Sequence, residues 1–367
     1  MMTKNGPDVS IAYFISPHGY GHAARAAAVM EFCHSLDRSL RFEVFTLVPE
    51  WFFRDSLNFP FGYHYVLTDI GMVQKTSIEE DPSSTLRRLD EFLPFDNALL
   101  DGLACEVTMQ KCRLVICDIS PLGIATAERA GIPSLLIENF TWDWIYQAYV
   151  KYEAGLSRHI AGMKEIFRSA DYHIQTVPVC RPDRSAVLTR PVSRNLRRPA
   201  DEIRRDLELP SGARVVMLTM GGMTWRFSCL ERLKEEKDIY FVILGAADRI
   251  KRDANLILLP HRSGLFHPDL IGACDAVIGK AGYSTIAEAY HAAVPFGCIE
   301  RERFPESGVL IHFVQNQMKG LVIGEKEFHD DLWVPRIHDL LAMPRLARPG
   351  INGGQQAAEV IHTLLGS

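Results

Sequence analysis

Short apolar runs, each followed by a turn and a longer amphipathic stretch, recur along this chain in two successive series. An apolar run too short for a helix fits a buried strand, and the amphipathic stretch after it fits the crossover helix of a parallel sheet. The first series predicts strands at Ile11–Ile15, Phe42–Thr46, His64–Leu67, Leu114–Cys117, Ser134–Ile137 and Tyr172–Gln175. Helices are predicted between them over Gly21–Leu36, Leu122–Ala130 and a long Gln147–Arg168. The second series predicts strands at Val215–Thr219, Tyr240–Leu244, Leu256–Leu259, Ala276–Ile278, Pro295–Ile299 and Leu321–Ile323, and a last helix over Gly353–Leu365. The fold class is therefore α/β, with two Rossmann-like doubly wound domains whose strand-end loops face a cleft.

The break between the series lies where Pro191, Pro199 and Pro210 punctuate a stretch holding Arg190, Arg194, Arg197 and Arg198. Prolines stiffen such a connection and forbid regular pairing. The expected organisation is a first domain over 1–190, a linker over 191–211, a second domain over 212–350 and a C-terminal helix over 351–367. The 367 residues suffice for two cores. A net charge of −5 gives no general affinity for nucleic acid. Residues 1–10 are polar, without the apolar centre of a signal peptide, and no apolar run is long enough to span a bilayer. The eight cysteines are scattered without a Cys-x-x-Cys pair, so reduced thiols and a cytoplasmic location are expected.

Four stretches carry chemistry. Ser16-Pro17-His18-Gly19-Tyr20-Gly21-His22 follows the first strand and opens an alanine-rich helix. Gly19 and Gly21 permit a tight turn, and His22 falls at the helix start, facing the strand ends, where an imidazole can act as a general base near neutral pH. A capping or core histidine is the plainer alternative. A metal pair from His18 and His22 is disfavoured, because the glycines between them interrupt the helix face it would need. Asp118 stands at the end of the strand Leu114–Cys117, where it can orient His22 or cap the helix that follows; both readings stay open.

In the second series, Gly279-Lys280-Ala281-Gly282-Tyr283-Ser284-Thr285-Ile286-Ala287-Glu288 runs from a strand through a glycine turn into a helix. Gly282, Ser284 and Thr285 at a helix start offer a seat for a diphosphate, and Glu288, one turn on, can reach two ribose hydroxyls. Gly221 and Gly222, in the stretch Leu218 to Thr224, let backbone approach a phosphate from another strand end. The lysine is not followed by Ser or Thr, so this is not a Walker A loop. No Asp-x-Asp pair occurs, so no carboxylate clamp for a divalent metal is present, and no cofactor is expected.

Two aromatic features complete the reading. Trp142 and Trp144 follow a strand end, where indoles can stack on an acceptor sugar, although one of the two can equally serve the core. The run Trp51-Phe52-Phe53, with Phe59, Phe61, Tyr63 and Tyr65, fits either a loop packed on its own sheet or a docking face for an apolar acceptor or a membrane surface.

Taken together, Gly19-Tyr20-Gly21-His22-Ala23, Asp118-Ile119-Ser120-Pro121, Asn139 to Tyr146 and Gly279-Lys280-Ala281-Gly282-Tyr283 resemble the GT-B glycosyltransferases. A closer likeness is to the glycosyltransferase-like N-terminal region of plant L-arabinokinases and its stand-alone bacterial relatives. The lipid II-forming N-acetylglucosaminyltransferases and the UDP-glycosyltransferases of small molecules are more distant. The resemblance runs from Ile11 to the last helix and includes no kinase part, so it does not imply arabinokinase activity. It implies metal-independent transfer from a nucleotide-sugar donor, a UDP-sugar by preference, to an unidentified hydroxyl or amine acceptor. His22 would be the base and Asp118 its partner, with His18, Gly19 and Gly21 on the acceptor side. Glu288 would hold the ribose, Gly221 and Gly222 the diphosphate, Glu306 the donor sugar, and His261 would lie around the nucleobase. Lys280 departs from the small or neutral residue of many such transferases and fits either an additional negative charge on the ligand or a simple pairing with a phosphate. A non-hydrolysing UDP-sugar epimerase and a non-catalytic nucleotide-sugar-binding protein share the architecture and are the alternatives.

Overall fold

A computed structural model describes residues 9–76, 78–222, 225–348 and 350–366. The chain divides into two compact units, one of residues 1–75, 80–192 and 351–367, the other of residues 76–79 and 193–350.

Among the described residues, the first unit holds seven strands: β1 (Ser10–Ile15), β2 (Arg41–Thr46), β3 (Gly62–Tyr65), β4 (Cys112–Asp118), β5 (Ser134–Glu138), β6 (Tyr172–Thr176) and β7 (Val187–Thr189). They pair in parallel in the order β3-β2-β1-β4-β5-β6-β7. The chain moves outward from β1 to β3 and then returns to β4 on the other side of β1. The loops after β1 and β4 therefore part at the switch point, where open α/β sheets bind ligands. The helix Tyr20–Leu36 is buried without a break from His22 to Met30. Its small residues Ala23, Ala24 and Ala26 to Ala28 let it lie close between other layers. The C-terminal helix Gly353–Gly366 belongs to this unit, and Gly354 lies against the ring of Phe32.

The second unit repeats the design with β8 (Arg214–Thr219), β9 (Ile239–Leu244), β10 (Lys251–Asp253), β11 (Leu256–Leu259), β12 (Ala276–Lys280), β13 (Phe296–Ile299) and β14 (Leu321–Ile323). Their order is β10-β11-β9-β8-β12-β13-β14, parallel except for β10 against β11. Its switch point falls between β8 and β12, the strands that carry Gly221 and Lys280 at their ends.

Four details depart from the sequence expectation. β3 lies two residues earlier than His64–Leu67 at each end. β7 and β10 were not expected, being short, exposed edge strands, and the charged Lys251-Arg252-Asp253 carries no apolar signal. The long helix Gln147–Arg168 is two helices, Trp142–Tyr149 and Ser157–Arg168. The first closes because the amides of Tyr152 and Glu153 both bond to the carbonyl of Tyr149, and the Glu153 carboxylate then accepts from the Gly155 amide. The stretch read as a linker contains the helix Ala200–Asp206, and Asp269 accepts from the amides of Arg197 and Arg198 just before it. The aromatic run packs inward: Phe52, Phe53 and Phe59 are buried and only Tyr65 is exposed. Among the described residues, no helix is long and apolar enough to cross a membrane.

Candidate functional site

At the switch point of the first unit, Gly19 takes a φ of +75° and starts the helix Tyr20–Leu36, which places His22 in its first turn. The imidazole is almost fully buried, and its Nδ1 lies 2.8 Å from Oδ1 of Asp118, the last residue of β4. Asp118 does not cap the following helix; Ser120 does, its hydroxyl accepting from the Gly123 amide at 3.1 Å. Between them Ile119 is held at a φ of +46°, a conformation that a β-branched residue adopts only under strain of order 1–3 kcal/mol.

Sequence reasoning missed the third member of this cluster. Arg25, one turn beyond His22 and 1% exposed, donates from Nε to Oδ2 of Asp118 at 2.8 Å and from a terminal nitrogen to Oδ1 at 2.6 Å. Its other terminal nitrogen donates to Oδ1 of Asn139 at 2.7 Å. Burial pushes the Asp118 carboxyl up, but the charge and hydrogen bonds of Arg25, aided by His22, outweigh it and hold the group below the usual carboxylate range.

A second carboxylate was also missed. The loop after β3 crosses the strand ends, where the Thr68 hydroxyl donates to the Ile15 carbonyl and the Ser120 hydroxyl to the Thr68 carbonyl. This buries Asp69, whose Oδ2 accepts from Trp142 Nε1 at 3.2 Å while Oδ1 has no hydrogen-bond partner among the described residues. Burial pushes its carboxyl up to about 7, against the hydrogen bonds of Ser16 and Trp142 and with the help of the nearby Asp118 charge. Trp142 is wholly buried; it stacks on Tyr146 and meets His18 edge-on at 5.0 Å between ring centres. Trp144 is half-buried. Gly71, in the same loop with a φ of +62°, runs so close to His18 that a Cβ would stand 2.7 Å from its Nδ1, so a side chain has no room there. No local pattern marks Asp69, because its setting depends on this crossing.

In the second unit, Gly221 and Gly222 take φ values of +65° and +84° after β8, and a Cβ on Gly221 would lie 2.9 Å from Cε of Lys280. The lysine stem at the end of β12 thus lies across the glycine turn of its neighbouring strand. Met223 and Thr224, at the end of that motif, lie outside the described residues. Gly282 starts the helix Tyr283–His291, with Ser284 buried and Thr285 half-buried in its first turn. His261 packs its ring against Gly245, just after β9, and Glu306 is buried in the first turn of Pro305–Phe313. Glu288 is buried with both carboxylate oxygens engaged, Oε1 by Arg194 and Oε2 by His267. Neither partner is marked in the sequence, since Arg194 lies in the proline-punctuated stretch and His267 belongs to no motif. Among the described residues, no three His, Cys, Asp or Glu side chains are grouped to hold a metal ion.

No family model matches the chain. Over 355 residues, 95% of its length, it is 28% identical to L-arabinokinase of Arabidopsis thaliana, of which it spans only about a third (34%). It is 22% identical over 264 residues, 68% of this chain and 75% of the other, to an uncharacterised glycosyltransferase of Methanopyrus kandleri. Among solved structures, the glycotransferase of kitacinnamycin matches with a TM-score of 0.67 at 14% identity, covering 98% of this chain and 100% of that one. A UDP-glucosyltransferase from Polygonum tinctorium capable of glucosylating indoxyl gives 0.64 at 14% identity, with both chains covered in full. Two doubly wound sheets and these likenesses along nearly the whole chain show that it has the GT-B fold.

Proposed function

We propose that this chain transfers a sugar from a nucleotide-sugar donor to a hydroxyl or amine acceptor without a metal ion, with His22 as general base. The observation that carries the reading is the 2.8 Å contact between His22 Nδ1 and Asp118 at the switch point of the first unit. With Nδ1–H donating to the carboxylate, the lone pair of Nε2 is the one left to accept a proton. As the acceptor oxygen or nitrogen attacks the anomeric carbon, its proton passes to Nε2 and the nucleoside diphosphate departs with the electrons of the broken glycosidic bond. His18 and Trp144, both half-buried, are the acceptor-side groups in this reading, and the wholly buried Trp142 meets the His18 ring edge-on from the core rather than touching the acceptor. Gly221, Gly222, Lys280, Gly282, Ser284 and Thr285, gathered at two strand ends of the second unit, would hold the diphosphate, with His261 at the nucleobase and Glu306 at the donor sugar. A uridine donor is favoured because a UDP-glucosyltransferase shares the fold over its full length.

The test is a thermal-shift titration with UDP, UDP-sugars and other nucleotide sugars, followed by an assay of nucleotide release against a panel of acceptors. A nucleotide at a hundred times its dissociation constant should add about 2.7 kcal/mol of stability. UDP-sugars should stabilise the protein, and release should require an acceptor. No stabilisation by any nucleotide, or turnover of donor alone to an epimer, would overturn the reading.

A further inference from the structure

Glu288 was expected to reach a ribose directly, yet its side chain is 2% exposed and neither oxygen faces outward unaccompanied. Oε1 accepts from Nε and a terminal nitrogen of Arg194 at 3.0 and 2.9 Å, and Oε2 lies 2.7 Å from Nδ1 of His267. Arg194 is itself fixed, its guanidinium lying over the Phe266 ring at 4.9 Å from the centre, alongside that of Arg197 at 4.1 Å. Burial pushes the Glu288 carboxyl up, but Arg194 and His267 outweigh it and hold the group below the usual range. His267, by contrast, is 23% exposed. Its Nδ1 is turned inward, so Nε2 lies on the opposite edge of the ring, and among the described residues no protein group is bonded to it.

We propose that His267, positioned by Glu288, is the residue that touches the donor's ribose, its Nε2 accepting a hydrogen bond from one of the ribose hydroxyls. The proposal rests on the reading of the second unit as the nucleotide-binding one. Two arguments select a hydroxyl over a phosphate. In the tautomer that donates Nδ1–H to Glu288, Nε2 is an acceptor and needs a donor group on the ligand, which an ionised phosphate lacks. Arg194 and Glu288 also cancel each other's charge, so the cluster offers little attraction to an anion, whereas Lys280 at the glycine turn does. The arrangement repeats that of the first unit, where Arg25 forks Asp118 and Asp118 takes Nδ1 of His22.

The experiment is calorimetry with UDP, 2′-deoxy-UDP and 3′-deoxy-UDP on the wild type and on His267→Ala, His267→Gln and Glu288→Gln, each checked for folding by circular dichroism. The wild type should prefer UDP over one of the deoxy analogues by about threefold to tenfold, the worth of one hydrogen bond between neutral groups. His267→Ala should abolish that preference by lowering UDP affinity to that of the analogue, and His267→Gln should keep part of it through its amide oxygen. Glu288→Gln should retain a reduced preference, because its oxygen can still accept from Nδ1–H. Full preference in His267→Ala with none in Glu288→Gln would place the hydroxyl on Glu288 and overturn the proposal. A wild type that binds UDP but ignores both ribose hydroxyls would also overturn it, leaving the donor reading intact. A wild type that binds no UDP would overturn the donor reading and this proposal with it.

Discussion

Arg25 grips both oxygens of Asp118, at 2.8 and 2.6 Å, and leaves Oδ1 shared with the imidazole of His22. The carboxylate's charge is therefore already balanced by a buried guanidinium. What Asp118 gives His22 is chiefly direction, a fixed ring with Nε2 facing away from the carboxylate, and less of the counter-charge that an unpaired aspartate would supply.

Arg25 should accordingly be the residue whose loss is felt most in the fold. Breaking a buried pair by removing one partner leaves an uncompensated charge and costs about 3–5 kcal/mol. Arg25→Ala should lower the unfolding free energy by that amount in urea titrations. Arg25→Lys should recover only part, since an ammonium cannot bond to both oxygens of Asp118 and to Asn139 in one plane. A loss below about 1 kcal/mol in Arg25→Ala would show that the fork holds nothing together.

For the proposed chemistry, His22→Ala should lower kcat by about 10²–10⁴-fold, the range for a positioned general base, with donor affinity nearly unchanged. Asp118→Asn should reproduce part of the loss by freeing the ring. The double variant should fall well short of the product of the single losses, because the pair acts as a unit. Steady-state rates with a donor titration for each variant decide it, and full activity in His22→Ala would transfer the base role to another group such as His18.

How much of this was legible follows from which contacts are local. His22, Gly282 and Ser284 could be placed because a strand, a glycine turn and a helix start lie within about ten residues of each other. Asp118 was visible as a strand-end carboxylate, but its partner Arg25 is 93 positions away and carries no mark beyond its place in an alanine-rich helix. Asp69 depends on a loop folding over two strand ends, and Arg194 on the chain entering the second unit inside a stretch whose prolines suggested a bare connection. β10 escaped because an edge strand of Lys-Arg-Asp has no apolar period to read. Residues whose meaning is set by distant packing left no pattern in their neighbours.

Asp69 makes the last prediction, a pH dependence of stability. Its carboxyl is pushed up to about 7 from an ordinary value of 3.8, first by burial and further by the Asp118 charge, against the hydrogen bonds of Ser16 and Trp142. A raised value means that the folded protein holds this proton more tightly than the unfolded chain does. The stabilising contribution is therefore full below about pH 4, declines as the unfolded chain releases its proton, and is gone above about pH 7. The two values correspond to a decline of up to about 4 kcal/mol across that window. In Asp69→Asn the side chain cannot titrate, and its amide oxygen can still accept from Trp142 Nε1. Urea unfolding of both proteins at pH 4.5, 6 and 8 should thus show the variant gaining on the wild type as pH rises, with most of the gain complete by pH 8. A difference that stays constant across the three pH values would mean that Asp69 is ionised in the folded protein throughout, and that its buried Oδ1 is stabilised by a group other than a proton.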